Sequence, residues 1–142
     1  MSDDPYHLAR FIEAQDGVYP TALAELRAGR KRGHWMWFVF PQLDGLGSSP
    51  MARHFGLRSI DSARAYLAHP LLGARLRECL AALAAAPLTD PEVLLGPIDA
   101  VKLRSSLTLF EAAGGGAAFA GALDRWYGGA RDEATLAMLG QG

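Results

Sequence analysis

With 142 residues, half of them apolar and a fifth charged, the chain has the size and balance of one globular domain, which excludes a fibrous or wholly disordered class. A formal net charge of −1 argues against a dedicated nucleic-acid binder, whose affinity rests on a broad cationic excess. One cysteine, Cys79, excludes an internal disulfide, and no run approaches the ~20 apolar residues that a bilayer span requires.

The opening Met-Ser-Asp-Asp-Pro-Tyr-His lacks the basic start and apolar stretch of a signal peptide, so a soluble, cytoplasmic protein with no membrane partner is expected. From Pro5 to Gln15, Leu8, Phe11 and Ile12 recur at helical spacing, with Asp4 placed to cap and Asp16-Gly17 to stop. A second helix is expected from Pro20, with Ala22, Leu23 and Leu26 buried and Gly29 supplying a left-handed end. Residues 34–40 are apolar on both alternating faces, and Pro41 pushes Phe40 toward extended geometry, so this run is a short buried strand or one or two helical turns. After the loop 42–50, Ser49 and Pro50 open a short helix to Phe55, and Asp61 opens another through Leu67.

The strongest helix is Leu71 to Ala86, with the stripe Leu72, Leu76, Cys79, Leu80 and Leu83. Thr89 or Asp90 caps a short helix ended at Gly96, and Pro97 opens one running to about Ala113, before Gly114-Gly115-Gly116. Two last helices are expected around Phe119 to Trp126 and Glu133 to Leu139. There is no βαβ alternation, repeat or long linker. The expected fold is therefore all-α: one domain over residues 1–142 of eight or nine short helices, with a possible extended segment near 36–40.

Two segments carry polar groups suited to chemistry. Arg30, Lys31 and Arg32 lead into His34, Trp35 and Trp37, which can be bare core behind a solvated loop, or cations and indoles for an anionic ring. His34 is the cheapest acid or base at neutral pH if partly buried. His7, His54 and His69 lie near helix ends or turns without a companion at metal-ligand spacing, so no metal site is expected. In the helix after Pro97, Ala100, Leu103, Leu107 and Phe110 form the inward stripe, and Asp99, Lys102 and Ser106 a neighbouring one with Ser105 beside it. Lys102 either pairs with Asp99 at i, i+3 or faces a pocket; Lys-x-x-Ser-Ser without a nucleophile elbow or oxyanion loop does not support nucleophilic catalysis.

The residues also carry a family resemblance. Arg10-Phe11 with Glu13-Ala14-Gln15, His34 through Gln42 with Gly45-Leu46-Gly47, and Asp99 with Lys102 and Ser105 through Phe110 resemble the hallmark blocks of the bacterial domain-of-unknown-function 1810 family, over about Leu8 to Leu139. The resemblance implies a mostly helical single domain and no established role. Members are sometimes labelled calpastatin; that inhibitor is a disordered polar repeat protein, unlike this strongly amphipathic, non-repetitive chain.

The functional expectation is a small-molecule cleft where residues 34–42 meet the helix after Pro97, taking an anionic, ring-bearing ligand such as a nucleotide or an ADP-ribose-like molecule, with no separate cofactor. Trp35 or Trp37 would stack on the ring and Lys102 with Arg104 or Arg32 would hold the anion. His34, Gln42, Asp99, Ser105 and Ser106 would supply hydrogen bonds. Any turnover would be hydrolysis of an N-glycosidic or phosphate linkage, with Asp99 or His34 as base. The competing expectation is a non-catalytic interaction module with the same aromatics as core. The oligomeric state is not legible.

Overall fold

The computed structural model describes residues 4–87 and 89–140. Among them the chain forms ten helices and no strand: α1 (Ala9–Gln15), α2 (Tyr19–Ala28), α3 (Met36–Val39), α4 (Pro50–Phe55), α5 (Ile60–Ala68), α6 (Leu72–Ala85), α7 (Pro91–Leu95), α8 (Pro97–Ala112), α9 (Ala117–Tyr127) and α10 (Glu133–Leu139). The helix beyond the expected eight or nine is α3, the segment whose type periodicity left open. Met36–Val39 is a single helical turn rather than an extended segment, and Phe40 leaves it with φ −125°, as the following Pro41 requires. A strand there would need a neighbouring strand to satisfy its backbone, and the isolated bridge nearby joins Leu43 to Leu57 instead.

Two helix starts differ from expectation for reasons of capping. Pro5 to His7 form a turn instead of a first helical turn, and the Asp4 carboxylate reaches over it to accept from the backbone N–H of Leu8 (2.7 Å) and Ala9 (2.9 Å). That turn is closed by His7 at φ +53°, the left-handed region; among the described residues only glycines otherwise adopt it. At α5 the cap is Ser59, not Asp61: Ser59 and Ser62 form a reciprocal capping box.

Helix α8 is the centre of the molecule, packed against α3, α5, α7, α9 and α10. Ala100, Leu103, Leu107 and Phe110 are buried as the stripe predicts, but so are Ser105, Ser106, Thr108 and Leu109, because neighbours cover the helix on several sides. Burying hydroxyls there is tolerable because Ser105 Oγ and Thr108 Oγ1 donate to the carbonyls of Val101 (3.1 Å) and Arg104 (2.8 Å), one turn back. Around α8 a chain of rings crosses the core: Phe38, Phe55, Phe11, Tyr66, Phe110 and Phe119, with successive centroids 5.2–5.9 Å apart. Gln15, 1 % exposed, ties three elements to that core: its amide donates to Phe38 O (2.7 Å) and Tyr66 Oη (3.1 Å) and accepts from Arg75 (3.2 Å). Where α6 crosses the end of α5, Gly73 is obligatory, since a Cβ there would lie 2.1 Å from the Leu67 carbonyl oxygen.

Candidate functional site

The stretch 31–37 and the start of α8 do meet, and one carboxylate joins them. Asp99 Oδ2 accepts from Lys31 Nζ (2.9 Å) and Oδ1 from Lys102 Nζ (3.1 Å). Each ammonium also lies by an indole: Lys102 Nζ is 3.9 Å from the Trp37 ring centroid and Lys31 Nζ 5.4 Å from that of Trp35. Burial opposes ionisation of Asp99, but its two ammonium partners outweigh it and hold the carboxyl below its ordinary value. A carboxylate with both oxygens engaged and reduced basicity is a poor general base.

The remaining residues marked from sequence fall differently. Trp35 is 1 % exposed, so neither face is open to a ligand ring, and its indole N–H donates to Glu25 Oε1 (2.9 Å). Trp37 is half-buried beneath Lys102, and Gln42 shares with it a void of only about 10 Å³, room for one water at most. Arg32 and His34 are exposed. The Arg104 guanidinium lies 3.9 Å from Asp132 Oδ1 and 6.0 Å from the Tyr127 ring centroid, away from that cluster. Ser106 Oγ and Arg104 Nε are buried without a hydrogen-bond partner, while Ser105 is spent on its own helix. The junction thus unites Trp37, Asp99 and Lys102, with Lys31, in a closed contact.

Glu25 is the hinge of this region. Besides the indole, its Oε1 accepts from the backbone N–H of Arg32 (2.6 Å) and Gly33 (2.9 Å). Burial opposes its charge, but these three donors and Lys31 prevail and lower its pKa from the ordinary 4.5. A depressed carboxylate contributes stability above its unfolded pKa and loses it as pH falls through the folded one, so Glu25 and Asp99 together predict unfolding midpoints that drop below about pH 4.5. Glu25→Gln should flatten that drop in urea titrations run from pH 6 to pH 3. An unaltered slope would remove Glu25 as a contributor.

A different concavity is open. Between the turn before α1, the end of α4 and the start of α5 lies a cleft of about 350 Å³ lined by Pro5, Tyr6, His7, Arg10, Arg53, His54, Gly56, Arg58 and Ser62. Three arginines and two histidines line it, and no carboxylate residue is in its lining. Arg10 builds it. Its Nε donates to His54 O (2.8 Å), Nη1 to Tyr6 O (2.8 Å) and His7 O (2.7 Å), and Nη2 to Gly56 O (3.0 Å), while the guanidinium lies 4.5 Å from the Phe11 centroid. The left-handed His7 brings two successive carbonyls onto one nitrogen, and one guanidinium so holds both histidine backbones. Carbonyls supply no counter-charge: burial and then the nearby Arg58 press the Arg10 pKa below the ordinary arginine value, against weaker help from Asp4 and Asp44. Arg53 and Arg58 side chains make no hydrogen bond or ion pair among the described residues. Sequence reasoning weighs His7 and His54 only as metal ligands and gives Arg53 and Arg58 no role, because nothing local links residues 6–10 to 53–58. The density of Arg53, His54 and Arg58 within six positions was the available signal.

Other chemistry is poorly served. Burial pushes the Cys79 thiol up to about 12, which denies it thiolate character. Among the described residues no three His, Cys, Asp or Glu side chains group to hold a metal ion, and no helix is long and apolar enough to cross a membrane. A groove of about 330 Å³ between α6 and α9 is lined chiefly by alanine, with few directional donors.

With this geometry in place, the comparison with known proteins is informative about kinship. The model of the family described as "Protein of unknown function (DUF1810)" matches residues 5–139. The chain belongs to the DUF1810 family. No curated protein matches it. The DUF1810 chain is similar to a solved structure, "conserved hypothetical protein Rv1873 from Mycobacterium tuberculosis": 51 % identity, a TM-score of 0.94, and coverage of 96 % of this chain and 99 % of that one. The DUF1810 fold is therefore shared across the length of both chains, and the chemistry of the DUF1810 protein has to be argued from its side chains.

Proposed function

We propose that this protein binds an anionic, ring-bearing small molecule, and that it does so in the arginine–histidine cleft beside α1 rather than at the Trp37–Lys102 junction. The observation that carries this reading is the cleft's composition: three arginines and two histidines around about 350 Å³ with no carboxylate residue in the lining. Cations gathered against mutual repulsion cost stability, and an anion offsets that cost by binding. Tyr6, 37 % exposed at the cleft, offers a ring face.

The junction is a second reading, favoured by the buried Ser106 Oγ, which lies on the same helix as Lys102 and has no hydrogen-bond partner. The two readings separate cleanly in a thermal-shift screen of anionic nucleotides and sugar phosphates. The cleft predicts a rise in midpoint that survives Lys102→Met and disappears in Arg58→Gln; the reverse pattern would move the ligand to the junction. An interaction module is supported by another observation: Val93, Ile98 and Val101, 58 %, 72 % and 53 % exposed, lie on α7 and α8 near the basic run, which Lys31 N–H joins to Leu94 O. No anion response in any variant would favour that module.

A further inference from the structure

We infer that the cleft takes an organic phosphate monoester, with its terminal phosphate between Arg53 and Arg58 and its ring toward Tyr6; this rests on the anion-cleft reading above and specifies the ligand. Donor geometry is the first ground. A carboxylate is planar and is satisfied by one guanidinium fork, whereas Arg53 and Arg58 carry two forks with no described partner, and His7 and His54 line the same cleft. Donors arriving from the turn before α1, from α4 and from the connection to α5 suit a tetrahedral group with three terminal oxygens.

Charge is the second. Three permanent cations line the cleft, Asp4 and Asp44 are the carboxylates that act on Arg10 among the described residues, and Asp4 is already engaged by the N–H groups of Leu8 and Ala9. The surplus matches a dianionic monoester better than a singly charged diester. Size is the third: the cleft falls within the about 300–1,000 Å³ of small-molecule sites, more than a bare phosphate occupies, and Pro5 and Tyr6 supply the apolar part of the wall. The site is also held ready, because four of the five N–H groups of Arg10 are fixed on carbonyls of both flanking segments.

Isothermal titration of the full chain at one low salt concentration tests this, with adenosine 5′-monophosphate, phenyl phosphate, adenosine, cyclic adenosine 3′,5′-monophosphate and citrate as probes. The expected result is binding of at least one of the two monoesters, none of adenosine, and affinity at least about tenfold weaker for the cyclic diester and for citrate. Arg58→Gln should weaken the monoester by about tenfold or more. His7→Gly removes one imidazole where glycine suits the backbone better, so it should fold normally and bind several-fold more weakly. Citrate or the diester binding as well as the monoesters, with Arg58 dependence, would overturn the phosphate assignment and leave the anion cleft standing. No Arg58-dependent binding of any of these anions would overturn both.

Discussion

Trp35→Ala should lower the unfolding free energy by about 3–5 kcal/mol, read as a reduced urea midpoint at unchanged slope. The indole is 1 % exposed, packs 6.4 Å from the Phe40 ring, and donates to the carboxylate that also gathers the backbone of Arg32 and Gly33. Truncation therefore opens a core void and removes one of the donors that stabilise the Glu25 charge. Trp35→Phe keeps a smaller ring while deleting the N–H, so it should give an intermediate loss of about 1–2 kcal/mol. A cost below 1 kcal/mol for the alanine variant would show that the ring is not core.

Arg10→Lys should be nearly as damaging as Arg10→Met, at about 2–4 kcal/mol, despite keeping the charge. An ammonium has three donors at one point, whereas the carbonyls of Tyr6, His7, His54 and Gly56 are spread around a planar fork that reaches both the adjoining turn and a segment 44 to 46 positions from Arg10. Both variants should also lose any anion-induced rise in midpoint, since the turn carrying Tyr6 and His7 is no longer tied to the segment carrying His54. Urea unfolding with and without adenosine 5′-monophosphate checks both effects. A lysine variant indistinguishable from the parent would mean that the cleft is held by other contacts.

The helices were legible because their determinants are local. Gly29 at φ 83°, Ser49 capping α4, Asp90 capping α7 and the inward stripe of α8 all occur where spacing and capping chemistry place them. The exceptions are informative. Six consecutive apolar residues at 35–40 could not distinguish strand from helix, since apolar side chains on every face erase periodicity. Ser105 and Ser106 read as polar groups of a cleft, yet α8 is enclosed by five neighbours, and enclosure depends on what packs there rather than on the helix's own residues.

Spacing alone put Asp99 and Lys102 within pairing reach, one turn apart on the same helix face, and left the pair and a pocket-facing lysine as alternatives; the structure shows the pair. Only the tertiary structure decided that Lys31 completes the pair, that Trp35 is walled in, and that His7, Arg10, His54 and Arg58 border one opening. The physical reason is range. Backbone capping and helical stripes are set within a few residues, whereas a cleft is assembled by chain segments whose proximity follows from core packing, here with the tilted ring contact of Phe11 with Phe55 between α1 and α4.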